Sequence, residues 1–577
     1  MGFMKERKHL FARSSQNGTM EEIKNKLRAL ICQAIKKGFE NGELKQVLLP
    51  EIELEAPKLS AHGDFATNIA MVLASSQKRP PREVAQILLN SISDTGRLLA
   101  KAEIAGPGFI NFFVNNACWH AVLKEIHESD DIYGCSDVGR GQNVLIEFVS
   151  ANPTGPLHIG HGRGAAVGDT LANILRASGY KVEKEYYIND SGRQIQTLGL
   201  SVFLRYRELH GADIDFPHDC YQGDYIREEA QAISEIKGRG LLDIPAEEAV
   251  AFCARFTAST ILNEIKQDLT DFGVRFDHWF SEQGLFDADA VDKAIQGLKK
   301  KRIIYEKDGA LWFRTTDFGD EKDRVVVRAN GITTYFASDI AYHDDKLRRG
   351  FDRIIDIWGA DHHGYIHRIS ACIQAMGHEK ERFKVILIQL VNLLRGGNPV
   401  AMSTRAGEFV MLRDVVDEVG RDAARFLFLT RRYDSPLDFD LEVAKRRSND
   451  NPVYYVQYVH ARISSILKKA CAREAEEPCS GDTVDLMQLK EPEELALIKC
   501  MSRFPAVVAE SARLMEPHRV PFYLTELAAT FHNYYNKHKV LSNDLVLTAA
   551  RLYMVSAVRI IVRNGLKLMG VSAPESM

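Results

Sequence analysis

Two histidines three residues apart, His158 and His161, stand in the run Pro156-Leu157-His158-Ile159-Gly160-His161-Gly162-Arg163-Gly164. On the first turn of a helix they share one face. Their ring N–H groups could donate hydrogen bonds to a phosphate that gains charge during a reaction. Free backbone N–H groups and the positive end of a helix dipole would point at the same place. Gly160, Gly164 and Gly168 recur every fourth residue and form one stripe. Such a stripe lets a helix lie close on a sheet, or a flat ring lie close on the helix. Packing is the preferred reading for Gly164 and Gly168, and a ligand for Gly160. Gly160, Gly162 and Gly164 also have G-x-G-x-G spacing, with Glu183 placed as a ribose acid of a dinucleotide site. For that loop the third glycine is misplaced, and the histidines would have no role.

A second chemistry centres on Glu147, which interrupts the apolar run Val144-Leu145-Ile146-Glu147-Phe148-Val149. A buried carboxylate is costly unless a positive group meets it, either an internal Lys or Arg or a cationic ligand. Ser150 and Asn152 extend the same strand toward its carboxyl end. Tyr335 and Asp339 lie four apart and share a face on a helical turn. Two carboxylates and a phenol suit a guanidinium, whose five donors form a planar fork. A lysine ligand would leave acceptors unpaired, and such sites reject poorer donors by factors on the order of 10⁴. Further along, Gly359-Ala360-Asp361 follows the strand-like Arg353-Ile354-Ile355-Asp356-Ile357-Trp358. A carboxylate at a strand end suits a ribose diol; a helix cap is the alternative for Asp361. His363 and His367 have H-x-x-x-H spacing beside His362, but Gly364 stands where a metalloprotease carries Glu, and no protein metal site is assigned.

These residues need a frame. The apolar run before the turn reads as a buried strand, and His158 to Ser178 as a helix. From about 140 to 420 strand and helix alternate, which predicts an α/β Rossmann-type, doubly wound parallel sheet with ligands at its carboxyl edge. A polar helical insertion, about 199–285, exceeds the usual connection length. The sheet is expected to resume near Ala310-Leu311-Trp312-Phe313 and Val325-Val326-Val327. Residues 20–130 read as a separate small α/β domain, in which Ile110 and Phe112 of the run Gly108-Phe109-Ile110-Asn111-Phe112-Phe113 face a core. Residues 421–577 are helical throughout and predict an all-α bundle, with 471–492 as an exposed loop. Residues 1–19 form a distinct leader carrying Lys5, Arg7, Lys8 and Arg13. Thr19 and Glu22 then have capping-box spacing.

The bulk composition narrows the class. The chain has 577 residues, 45% hydrophobic and 26% charged, which fits several globular domains. A net charge of −4 argues against a DNA coat or polybasic membrane binder, without excluding a local RNA-binding face. Nine cysteines with no C-x-x-C pair fit reduced thiols and a cytoplasmic location. No apolar run is read as approaching membrane-spanning length, so no membrane association is expected.

Pro156-Leu157-His158-Ile159-Gly160-His161 resembles the HIGH signature of class I aminoacyl-tRNA synthetases. The longer run from Glu147 to His158 resembles arginyl-tRNA synthetases in particular. So do Tyr187-Ile188-Asn189-Asp190-Ser191-Gly192-Arg193-Gln194-Ile195, Gly359-Ala360-Asp361-His362-His363 and Ile561 through Val571. The resemblance implies ATP-dependent activation of L-arginine and its transfer to tRNA(Arg), with Mg²⁺ on the ATP phosphates. It implies that Glu147, Ser150, Asn152, Tyr335 and Asp339 surround arginine, and that His158, Gly160, His161, Gly359, Asp361 and Met402 meet ATP. His158, His161, Ser403 and Arg405 are then the catalytic group. The second class I signature is altered: Ala401-Met402-Ser403-Thr404-Arg405 lacks both expected lysines. Arg405 is the nearest cation, and Arg395 a second candidate. The tRNA contacts implied are Asn111 and Phe113 at the elbow, and Tyr455, Tyr458, Arg462, Tyr534 and Met577 at the anticodon. A tyrosine stripe on a helix also reads as core. A monomer is expected. Three rivals stay open: a class I synthetase for another amino acid, a tRNA-binding protein without catalysis, and a dinucleotide-dependent oxidoreductase.

Overall fold

The computed structural model describes residues 19–57, 59–94, 97–400, 410–473 and 484–577. The leader up to residue 18, and Met402, Ser403 and Arg405, lie outside them. In the N-terminal part, β1 (Phe65–Thr67), β2 (Leu99–Ala105) and β3 (Phe109–Val114) form an antiparallel sheet in the order β1-β3-β2. Period-two alternation turns Ile110 and Phe112 into the core, as expected.

The central part carries β4 (Asn143–Glu147), β5 (Lys181–Ile188), β6 (His278–Ser281), β7 (Ile304–Lys307), β8 (Ala310–Phe313), β9 (Arg324–Val327), β10 (Arg353–Gly359) and β11 (Phe383–Ile388). Five of them make the predicted parallel sheet, in the order β11-β10-β4-β5-β6. Helix α1 (Ile159–Ala177) crosses over from β4 to β5. Because β4 has β5 on one side and β10 on the other, the strand order reverses at β4. A crevice therefore opens at the carboxyl ends of β4 and β10, where ligands of such sheets bind. Helix α2 (Tyr335–Arg348) precedes β10 and covers the sheet beside that crevice.

The sheet does not resume at 310–327. β7, β8 and β9 form a separate antiparallel sheet. Its first hairpin turns on Asp308-Gly309, both at positive φ (52° and 73°). An Asp-Gly pair between short strands is a hairpin sequence, and a hairpin cannot join parallel neighbours. The strand that rejoins the parallel sheet is β6. It follows three long helices, Arg193–Leu209, Tyr225–Lys237 and Ala246–Asp271.

The C-terminal part is helical and includes α3 (Pro452–Arg473), α4 (Arg519–Lys537) and α5 (Leu545–Leu568). α5 corrects one sequence reading: by length and composition it is apolar enough to cross a membrane. Its inward residues, among them Met554, Val558, Ile561 and Val562, are fully buried in the bundle. A helix apolar on most sides is what a bundle centre requires.

Candidate active site

Helix α1 begins on a cap made of histidine. His158 has extended backbone (φ −101°, ψ 170°). Its Nδ1 accepts the Gly160 N–H at 3.1 Å, while the His158 N–H donates to Nδ1 of His161 at 3.2 Å. The two rings stack with centroids 3.7 Å apart. Since Nδ1 accepts in both rings, the proton of each neutral imidazole sits on Nε2. Burial lowers both pKa values; that of His161, with His158 beside it, falls to about 3. The pair therefore offers two neutral Nε2–H donors at the positive end of α1. A Cβ at Gly160 would lie 2.9 Å from Cε1 of His158, so the cap itself demands glycine there. A Cβ at Gly168 would lie 2.3 Å from the Phe148 ring, so Gly168 packs as expected, but one at Gly164 would meet only Ile388 at 3.9 Å and packing does not explain it.

β4 delivers Glu147 to the crevice. Val149 (φ 68°) and Ser150 (φ 41°) then adopt the left-handed region, strained for a β-branched residue and typical of functional turns. This bend points Ser150 Oγ back to donate to Glu147 Oε1 at 2.9 Å, and Ser150 Oγ accepts the Tyr187 N–H at 3.1 Å. Glu147 Oε2 accepts from Lys346 Nζ at 2.5 Å. The internal cation considered from the sequence is thus present, and it is shared: Lys346 also donates to Asp356 at 2.8 Å. Asn152 donates to Gln194 at 2.5 Å.

Asp339 accepts from the Tyr365 hydroxyl. Burial pushes its pKa up to about 6, with the charges of Glu282 and Glu147 adding to the rise. Tyr335 is 58% exposed. It stands on an open cleft of about 850 Å³, lined also by Gln194, Glu282, Arg328 and Ser338. Glu147, Ser150 and Asp339 thus gather at the crevice, Tyr335 lines the cleft, and Asn152 is joined to the cleft through Gln194.

Gly359 ends β10, and the Asp361 carboxylate is 80% exposed, 3.5 Å from His362. Among the described residues Asp361 caps no backbone N–H, which leaves it open to a ligand. Residues 401–409 lie outside the description, but the chain leaving them is anchored beside the histidine cap. Leu412 N–H donates to Leu157 O at 2.8 Å, Ile159 N–H to Val410 O at 3.3 Å, and His158 bridges Met411. Arg395 is engaged elsewhere, in a two-bond pair with Glu418 at 2.6 and 2.9 Å.

Several residues were missed from the sequence. Asp356 interrupts the apolar β10 just as Glu147 interrupts β4, and the two are paired in register. Glu185 of β5 is in register with Glu147 on its other side. The same argument applied to β10 would have found Asp356, but Glu185 stands in the charged run Lys181-Val182-Glu183-Lys184-Glu185, where nothing local sets it apart. Lys346 follows Asp339 by seven residues, two helical turns on the same face. Glu282, Gln194 and Tyr365 come from distant segments and gave no local pattern.

The proposed RNA contacts divide. Phe113 is half-buried under Lys101, whose Nζ lies 5.0 Å from the ring centroid. Asn111 is 3% exposed, because both neighbouring strands pair across it, and it does not reach solvent. Tyr455, Tyr458 and Arg462 are half-buried on α3. His532 lies against both tyrosine rings, and the Arg462 guanidinium lies 5.2 Å from the Tyr458 ring centroid. Tyr534 is fully buried, since it shares the inward face of α4 with Leu527 and Phe531. It cannot stack on a base in this conformation. Met577 is 53% exposed.

Residues 25–114 match the family described as arginyl tRNA synthetase N terminal domain. Residues 123–435 match tRNA synthetases class I (R), catalytic domain, and 456–577 match the DALR anticodon binding domain. The chain is 58% identical over 560 residues to the arginine–tRNA ligase of Desulfosudis oleivorans, covering 96% of this chain and 100% of that protein. Against the arginine–tRNA ligase of Syntrophotalea carbinolica the identity is 54%, again over 96% and 100%. The arginyl-tRNA synthetase of Thermus thermophilus, 23% identical, shares the fold with a TM-score of 0.73, over 96% of this chain and 100% of that one. Identity of this size, sustained along the whole length of two relatives and through three consecutive domain matches, establishes that the chain belongs to the arginyl-tRNA synthetase family.

Proposed function

We propose that this arginine–tRNA ligase joins its substrates at the carboxyl edge of β4 and β10, with the ATP phosphates on the histidine cap and arginine in the acidic crevice. The observation that carries the reading is the cap itself. Two neutral Nε2–H donors at a helix N-terminus stand beside a buried carboxylate row. In the first step the arginine carboxylate attacks the α-phosphate and pyrophosphate leaves. His158 and His161 donate to phosphate oxygens as charge builds on them. In the second step a hydroxyl of the terminal tRNA ribose attacks the arginyl carbonyl and AMP leaves. Neither step needs a covalent enzyme intermediate; alignment and charge stabilisation are the protein's contribution.

Glu147 and Asp339 take the substrate's cationic groups, with Ser150, Asn152 and Tyr335 as neutral partners. Gly359 and Asp361 take the ribose, and Met402 contributes to binding the nucleotide. Ser403 and Arg405 serve the leaving pyrophosphate, which the anchoring of Val410–Leu412 beside His158 supports. Arg395, already paired with Glu418, is the weaker cation for that task. Mg²⁺ supplies charge neutralisation on the phosphates. The turn from Pro156 to Gly164 contains no carboxylate, so the ion would be held there by the ATP phosphates and not by the protein. Phe113 meets the tRNA elbow, and Tyr455, Tyr458, Arg462 and Met577 the anticodon. The division proposed is a leader (1–19), an elbow-binding domain (20–130), a catalytic domain (131–420, insertion about 199–285) and an anticodon-binding domain (421–577). The protein acts as a cytoplasmic monomer away from membranes.

Charging of tRNA with each amino acid in turn tests the function. Arginine alone is expected to be joined. Charging with another amino acid, or tRNA binding without any charging, would overturn the reading.

A further inference from the structure

Three carboxylates stand side by side on the face of the sheet that α2 covers: Asp356 on β10, Glu147 on β4 and Glu185 on β5, in direct register. All three are buried. Glu185 has its own partners. Arg349 grips it with two bonds of 2.6 and 2.8 Å, and the Tyr342 hydroxyl donates to it at 2.8 Å. Glu147 and Asp356 share Lys346, at 2.5 and 2.8 Å. Asp356 also meets His343 Nε2 at 3.2 Å. Among the described residues Lys346 is the only cation within ion-pair distance of Glu147. The other titratable neighbours of Glu147 are Tyr187 of β5 and Asp339 and Tyr342 of α2.

Asp339, His343 and Lys346 form one stripe of α2. It runs from the substrate crevice at Asp339 to a sealed interior at Lys346, which is 0% exposed. Lys346 is therefore too deep to touch a substrate, yet it holds the carboxylate that does. We propose that Lys346 is a positioning residue for arginine: it keeps Glu147 ionised and fixed at the crevice, and is itself held from behind by Asp356. This rests on the reading of Glu147 as an arginine ligand. Without Lys346, two adjacent buried carboxylates would share a proton between them. An entering guanidinium would first have to expel that proton.

The opposing effects of burial and Lys346 on Glu147 fit this role. Burial is the stronger and leaves its pKa raised, and the Lys346 ammonium is the largest influence pulling it down.

Steady-state charging with tRNA(Arg) across the neutral and mildly alkaline range gives the test, reading KM for arginine and for ATP. Glu147→Gln is the control and should raise the arginine KM at every pH; an unchanged value sinks the reading of the pocket on which the inference rests. With that control satisfied, Lys346→Met should raise the arginine KM near neutrality by about tenfold, with the defect closing by about tenfold per pH unit as pH rises. The ATP KM should stay put. In Lys346→Met/Asp356→Asn the second carboxylate is gone, and the acidic limb of kcat/KM for arginine should return to its wild-type position. A lysine with only a structural role predicts lower thermal stability with wild-type arginine KM and pH profile, and that result would overturn the inference. Should Lys346→Met not fold, Lys346→Arg decides. It keeps the charge and alters the geometry, so the limb should stay in place and the arginine KM should rise; an unchanged KM refutes positioning.

Discussion

At the level of single residues the account makes the histidine cap a pair of neutral donors. Their Nδ1 atoms are occupied by backbone N–H groups, so the rings cannot rotate away without uncapping α1. His161→Ala is expected to slow ATP–pyrophosphate exchange by about 10²-fold, the scale of one lost oxyanion donor. Exchange at the wild-type rate would remove His161 from the chemistry. Asp339 makes a pH prediction. Its pKa is raised to about 6 by burial, so below that pH it is neutral and attracts a guanidinium poorly, and above it is charged. The kcat/KM for arginine reports the free enzyme and should fall as pH drops through about 6, while that for ATP stays flat. Asp339→Asn should lower the arginine value and abolish this limb. Retention of the limb in Asp339→Asn would assign it to another group.

At the level of elements, α1 approaches β4 through glycine. A methyl at Gly168 would overlap the Phe148 ring. Gly168→Ala should destabilise by about 1–3 kcal/mol, the usual cost of overpacking, seen as a lower Tm. Gly164→Ala has no such neighbour and should leave Tm unchanged or higher, yet raise the KM for ATP if a flat ring lies on that stripe. A wild-type ATP KM would leave Gly164 unexplained. The two glycines mark what the sequence could tell. Their spacing gave the stripe, and the run from Val144 to Ser178 gave the order strand, turn, helix, because both are local patterns of period and turn. The assignment of β8 and β9 to the main sheet failed because short apolar runs look alike in parallel and antiparallel settings; only the Asp308-Gly309 turn separates them. The sharing of Lys346 by Glu147 and Asp356 was illegible for another reason. It joins residues 199 and 10 positions apart in the chain, and no local period encodes such a contact. Tyr534 was misread because an inward helix face carries aromatic residues for packing as readily as an outward one does for stacking.

For the whole molecule, one buried carboxylate ties the catalytic sheet to the helical bundle. Asp169 on α1 accepts from Lys184 of β5 at 2.9 Å and from Arg425 at 2.6 Å. Arg425 in turn donates to Met569 O, just beyond α5, at 2.8 Å. Removing the shared acid strands two buried cations. Asp169→Asn should therefore cost about 3–5 kcal/mol and lower Tm markedly, a penalty expected when one partner of a buried pair is lost; an unchanged Tm would mean the tie carries no energy. The central claim concerns where substrates sit on this frame. A crystal structure of the enzyme with a stable arginyl-adenylate analogue tests it most directly. The account predicts the phosphate oxygens within hydrogen-bond distance of the Nε2 atoms of His158 and His161, and the guanidinium in the crevice bounded by Glu147 and Asp339. An analogue bound away from the start of α1, or with its guanidinium turned away from both carboxylates, would contradict it.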